Sequence, residues 1–120
     1  MSWTYHQRSG RMDGPQGQEY HGYSGAPGYV NDPSKEEIAN RGPIPRGRWR
    51  IDLHPDGSHG PFTLHLSPVG HNAHGRNRFR IHGENHQHPG ASSTGCIILS
   101  LAARQAIVQS GDNNLLVVRD

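Results

Sequence analysis

A chain of 120 residues, only 31% of them hydrophobic, with 16 glycines and 9 prolines, excludes a helical bundle and favours one loop-rich, mostly β domain over residues 1–120. A formal net charge of +2 with a single lysine, Lys35, excludes the cationic stripe of a nucleic-acid binder. One cysteine excludes an intramolecular disulfide, and no apolar run reaches the ~20 residues that cross a bilayer, so no membrane insertion is expected.

At the N-terminus, "WTYHQRSGRMDG" alternates Trp3 and Tyr5 with Thr4 and His6, then turns at Ser9-Gly10 into a second strand. The N-terminal "MSWTYHQRSGRMDG" lacks the apolar core of a cleavable signal peptide, so export is expected by a route that ignores one. Pro15 to Pro33 is rich in Gly and Tyr. Tyr20, Tyr23 and Tyr29 need packing partners, which predicts an ordered loop. "PSKEEIANRG" carries helix signals: Pro33 and Ser34 at the start, Glu36 and Glu37 in the first turn, Gly42 as the stop.

Pro43 and Pro45 cannot donate to a sheet and mark the approach to a strand, "RWRIDL". A turn around Asp56-Gly57 leads to "FTLHLSPV", with Phe62, Leu64 and Leu66 on one face. After the loop "HNAHGRN", "RFRIHG" alternates again. Phe79 and Ile81 share one face, and Arg80 and His82 the other. "CIILSLAARQAIVQSG" starts apolar and becomes a helix with Leu101, Gln105 and Val108 on one face, ended by Gly111. "NLLVVRD" reads as a final, fully apolar strand.

The chemistry concentrates in "RFRIHGENHQHPGASSTGCIILS". An unperturbed thiol of pKa about 8.5 is only a few per cent ionised at neutral pH, and a nearby imidazole can form a more reactive ion pair with it. Cys96 follows Ser93, Thr94 and Gly95 where a loop gives way to an apolar run. The N–H groups of Gly95 and Cys96 are placed to face a developing oxyanion. His82 ends a strand, and the Gly83 carbonyl can fix its tautomer. From the residues alone, a small buried thiol remains the competing reading of Cys96, and a solvated histidine that of His82.

Seven further histidines, His54, His59, His65, His71, His74, His86 and His88, form no metal-binding motif, so neither metal nor organic cofactor is expected. Arg76, Arg78, Arg80 and Arg104 are candidates to hold a substrate carboxylate by bidentate bonds. Solvent exposure or pairing with Asp and Glu is the alternative.

"IHGEN" followed by "SSTGCI" resembles the signature of the YkuD-like L,D-transpeptidases, in which His-Gly precedes a Ser-x-Gly-Cys segment. "GPIPRGRW" is similar to that class's entry into a strand. From "WTYHQRSGRMDG" through "YSG", "VNDP", "NRGPIPRGRW" and "GRNRFRIHGEN" to "ASSTGCIILS", Arg104 and "NLLVVRD", nearly the whole chain resembles the L,D-transpeptidase-like effectors of bacterial type VI secretion. The resemblance implies a small β-sandwich or open barrel with one or two short helices. It implies Cys96 as nucleophile, His82 as its base, Gly83 orienting the ring and Ser93 supporting the site. Gly95 and Thr94 would shape the oxyanion and substrate side, and Arg76 would contact a carboxylate. Typical L,D-transpeptidases carry His directly before the Gly-Cys and Arg two residues after the cysteine. Here Thr94 and Ile98 stand there, which leaves the substrate's terminal carboxylate without an assigned partner.

By the same resemblance the substrate is a peptidoglycan stem tetrapeptide, whose terminal D-Ala is removed or replaced. The setting is the periplasm of a target bacterium, with an immunity protein in the producer and a carrier in the secretion apparatus. Two other readings remain: an NlpC/P60-like wall endopeptidase, in which the cysteine normally precedes its histidine, and a non-enzymatic wall-binding or adaptor module.

Overall fold

In the computed structural model, which describes residues 1–120, the N-terminal alternation becomes β1 (Trp3–His6), with Trp3 and Tyr5 fully buried. A turn at Gly10 returns the chain as β2 (Arg11–Asp13), and β3 (Glu19–His21) and β4 (Tyr23–Ser24) follow. Next come β5 (Gly47–Ile51), β6 (Leu64–Val69), β7 (Arg80–His82) and β8 (Ile97–Ile98). The one α-helix, α1 (Leu101–Ser110), leads into β9 (Asn114–Val118). The nine strands form a barrel-like sheet, nearly closed, in the order β3-β2-β1-β9-β5-β6-β7-β8-β4.

The two edge strands of that order, β3 and β4, are joined in sequence by Gly22 alone, so the sheet closes on itself there. The seam is tight. The Gly22 N–H donates to the Gly10 carbonyl at 2.8 Å. A Cβ on Gly22 would lie 1.8 Å from the Ile98 carbonyl oxygen. Only glycine allows this approach.

A core of 17 buried residues fills the interior. Trp49 anchors it edge-on to Phe79, with ring centroids 4.9 Å apart, and its indole N–H donates to the Pro45 carbonyl at 3.0 Å. An aromatic at such a position contributes about 3–5 kcal/mol relative to alanine.

Three local expectations differ from the fold. The helix expected at Pro33–Gly42 is a 3-10 turn over Pro33–Lys35 followed by turns. Glu36 folds inward instead, accepting from Gln7 and Arg46 and pairing with His74 at 2.7 Å. In α1 the buried face carries Ala103, Arg104 and Ile107, while Leu101 is 47% exposed. Ser100 caps the helix through the Ala103 N–H, and Gly111 ends it in the left-handed region. In β9 the apolar strand is present, but Leu115 and Val117 are buried while Leu116 and Val118 are only half-buried. The strand is fully covered on one face only.

Candidate active site

β7 and β8 pair in parallel, with Ile81 beside Ile97 and His82 beside Ile98. Continued by one residue, this register sets Arg80 beside Cys96. Ile81 and Ile97 both enter the core, so Arg80, His82 and Cys96 share the opposite face. Cys96 and His82 are 7% and 6% exposed, and both line one cavity of about 470 Å³.

His82 Nδ1 lies 3.0 Å from the Gly83 carbonyl oxygen. A carbonyl only accepts, so Nδ1 carries the hydrogen and Nε2 keeps its lone pair in the neutral ring. Burial pushes the His82 pKa down, and the charges of Arg104 and Arg80 act the same way. Burial pushes the Cys96 thiol up, partly offset by the Arg80 N–H and guanidinium and by the charge of Arg76. The sulfur lies 3.8 Å from the Arg78 carbonyl, the acceptor its S–H faces. Both directions describe a neutral thiol and a neutral imidazole in place of the ion pair expected from sequence. Such a pair works by moving the proton during attack. The Arg80 Nε–H is buried without a partner, which leaves a donor ready for negative charge on this face.

The turn before the cysteine is fastened by Ser93. Its hydroxyl donates to the Cys96 carbonyl at 2.6 Å and accepts from the N–H groups of Gly25 and Gly95 at 2.9 and 3.0 Å. Ser24, which the sequence did not single out, donates to the Gly95 carbonyl at 2.9 Å and accepts from Ile44 N–H. Gly95 has φ 143°, and a Cβ there would lie 2.6 Å from Arg76 Nη2. The Gly95 N–H is held by Ser93, so Gly95 shapes the turn by its backbone. The Cys96 N–H has no partner within the chain and is the free amide beside the sulfur.

Arg76 lines the cavity over the Phe79 ring, but its terminal nitrogens are occupied. Nη1 donates to the carbonyls of Glu36 and Pro43, and Nη2 to those of Gly42 and Thr94. It thereby ties the Gly42–Pro43 loop to Thr94, which is exposed at the cavity rim. Its charge remains, though burial lowers its pKa.

The other histidines are dispersed. His65 pairs with Asp56, His54 with Asp52 and His74 with Glu36, and His71 bonds the Arg48 carbonyl. His86 and His88 are exposed, and His59 packs on His82 with ring centroids 5.2 Å apart. No three His, Cys, Asp or Glu side chains converge as a metal site.

The loop between His82 and Cys96 is held by a network that sequence reading missed. Tyr23 donates to Glu84 at 2.6 Å, Ser92 also donates to Glu84, and the Ser92 N–H reaches the Tyr23 oxygen at 3.1 Å. Tyr23 and Glu84 are 61 residues apart, and no local pattern announces such a contact. The model of the Tlde1 domain family matches residues 18–119, which include every residue of the cavity. No curated protein matches the chain.

Proposed function

The chain belongs to the Tlde1 domain family, a family of type VI secretion effectors, and from that premise we propose that it is a cysteine-dependent enzyme that modifies peptidoglycan stem tetrapeptides. The observation that carries the proposal is that Cys96 and His82 line one cavity, the ring held through Nδ1 by Gly83. The Cys96 sulfur attacks the carbonyl at the L-centre of the diamino acid that precedes the terminal D-Ala. The thiol proton passes to His82 Nε2, and the oxyanion faces the Cys96 N–H. The C–N bond then breaks, His82 returns the proton to the departing amine, and a thioester remains on Cys96.

Water, its proton taken by His82, completes an L,D-carboxypeptidase reaction. The amine of a free D-amino acid gives exchange, and that of a neighbouring stem gives a cross-link. The residues supply nucleophile, base and donor, so the mechanism uses no metal or organic cofactor. As an effector the protein would be carried by the secretion apparatus into the periplasm of a target bacterium, and its producer would hold a cognate immunity protein.

Incubation with tetrapeptide muropeptides, followed by mass spectrometry, tests this reading. Loss or replacement of D-Ala is expected. Cleavage inside the stem would favour the endopeptidase, and unchanged muropeptides the wall-binding module.

A further inference from the structure

Beside the Cys96 cavity lies a second one of about 660 Å³, which shares His59 with the first and is lined by Tyr23, Gly83, Ser100 and Arg104. Arg104 is a buried cation, 7% exposed, and pairs with no carboxylate. Its Nε donates to the carbonyls of Leu99 and Ser100, and its Nη1 to those of Pro61 and Phe62. Nη2 has no partner within the chain. Glu84, the one acidic residue of the cavity, is engaged by Tyr23, Ser92 and the Gly90 N–H.

A buried charge held only by neutral carbonyls is incompletely compensated, and a carboxylate is the group that matches a guanidinium. Arg104 also closes the first turn of α1, where the helix end favours an anion and disfavours a cation. Carbonyls clamp one side of the guanidinium and leave the other for a ligand.

The position of Nη2 is what matters for the reaction. A Cβ on Gly83 would stand 2.7 Å from it, so Nη2 lies against Gly83, the residue whose carbonyl orients His82. In an α-amino acid a single carbon separates the amine from the carboxylate. An amine served by His82 therefore keeps its carboxylate near the ring, and Gly83, against which Nη2 lies, is the next residue of the chain. Arg76, beside Thr94, has its terminal N–H groups filled by carbonyls.

We infer that Arg104 is the carboxylate anchor of the site, its free Nη2 holding the α-carboxylate of the amino acid that leaves from, or arrives at, the Cys96 thioester. The assignment rests on the proposed function. It makes the enzyme act on chain ends bearing a free carboxylate and accept free amino acids in exchange.

The test compares two tetrapeptides, one ending in a free carboxylate and one in a carboxamide. The amide is expected to lose about 10- to 100-fold in kcat/KM, the range of one charge-assisted hydrogen bond. Arg104→Gln is expected to impose a similar loss on the acid and little on the amide. Equal rates for acid and amide with the unaltered protein would overturn the anchor and leave the proposed function standing. That comparison also decides if Arg104→Gln does not fold.

If neither peptide turns over, the proposed function fails, and titration with D-alanine and D-alaninamide decides the anchor separately. Saturable amide shifts at Gly83 with D-alanine, absent with D-alaninamide, support it. Equal shifts, or none, overturn it.

Discussion

At the scale of single residues, the electrostatics of Cys96 separate two candidate counter-ions. His82 is held neutral by burial, whereas Arg80 stands beside the sulfur and lowers its pKa. Arg80→Gln removes that support, and the pH midpoint of Cys96 alkylation should rise by about one unit, as for loss of a neighbouring opposite charge. The Arg80 side chain makes one bond, to the Arg78 carbonyl, so the fold should survive. His82→Gln should shift the same midpoint less. A larger shift for His82→Gln than for Arg80→Gln would restore the imidazolium as the counter-ion. Cys96→Ala should abolish turnover while costing no more than about 1–2 kcal/mol of stability. Product yield and a melting curve on the same sample read both, and a large fall in melting temperature would mark the thiol as structural. Because His82 must be neutral to act as base and its pKa is depressed, the acid limb of kcat/KM should lie below the ordinary imidazole value of about 6.5.

At the scale of elements, Ser93 shows how a short polar residue positions a nucleophile. It satisfies two buried amides and one carbonyl around the turn. Ser93→Ala would orphan the Gly25 and Gly95 N–H groups, at about 1–3 kcal/mol for each donor left unpaired. The melting temperature should fall, and activity should fall even at temperatures where the protein stays folded. Ser93→Thr, which keeps the hydroxyl, should recover part of both. The same scale explains what was legible in the sequence. Strand alternation at Trp3–His6, Leu64–Leu66 and Phe79–His82 reports one covered face, and that signal is local. His82, Gly83, Ser93 and Cys96 were legible as candidates because they are separated by one short loop. The segment from Pro33 to Gly42 departs from its local helix signals because its fate depends on Gln7, Arg46 and His74, which its own residues do not announce. Arg104 stood out in the sequence only as one of four candidate arginines, for a similar reason. Its acceptors at Pro61 and Phe62 lie more than forty residues away, and its spacing within α1 looks like that of any surface arginine.

At the scale of the whole molecule, the buried titratable groups set how the fold responds to acid. Burial holds the His82 pKa below that of the unfolded chain, so between the two values the unfolded state binds more protons. Stability from this group is complete above about pH 6.5 and is lost as pH falls through the folded value. Glu36 adds a second loss at lower pH. Burial alone would raise its pKa, but bonds from Gln7, His74 and Arg46 outweigh this and hold it down. Its contribution is complete above its unfolded pKa of about 4.3 and fades as the carboxylate protonates below that. The same network ties the N-terminal hairpin, the Pro33 turn and the Ala73–Gly75 turn together, so protonation should loosen the fold as a unit. Melting temperature should therefore fall in two stages on acidification, the first beginning near pH 6.5 and the second below about pH 4.3. His82→Gln, whose amide can still donate to the Gly83 carbonyl, should flatten the first stage and spare the second. A first stage unchanged in that variant would mean that another histidine, not His82, is buried neutral.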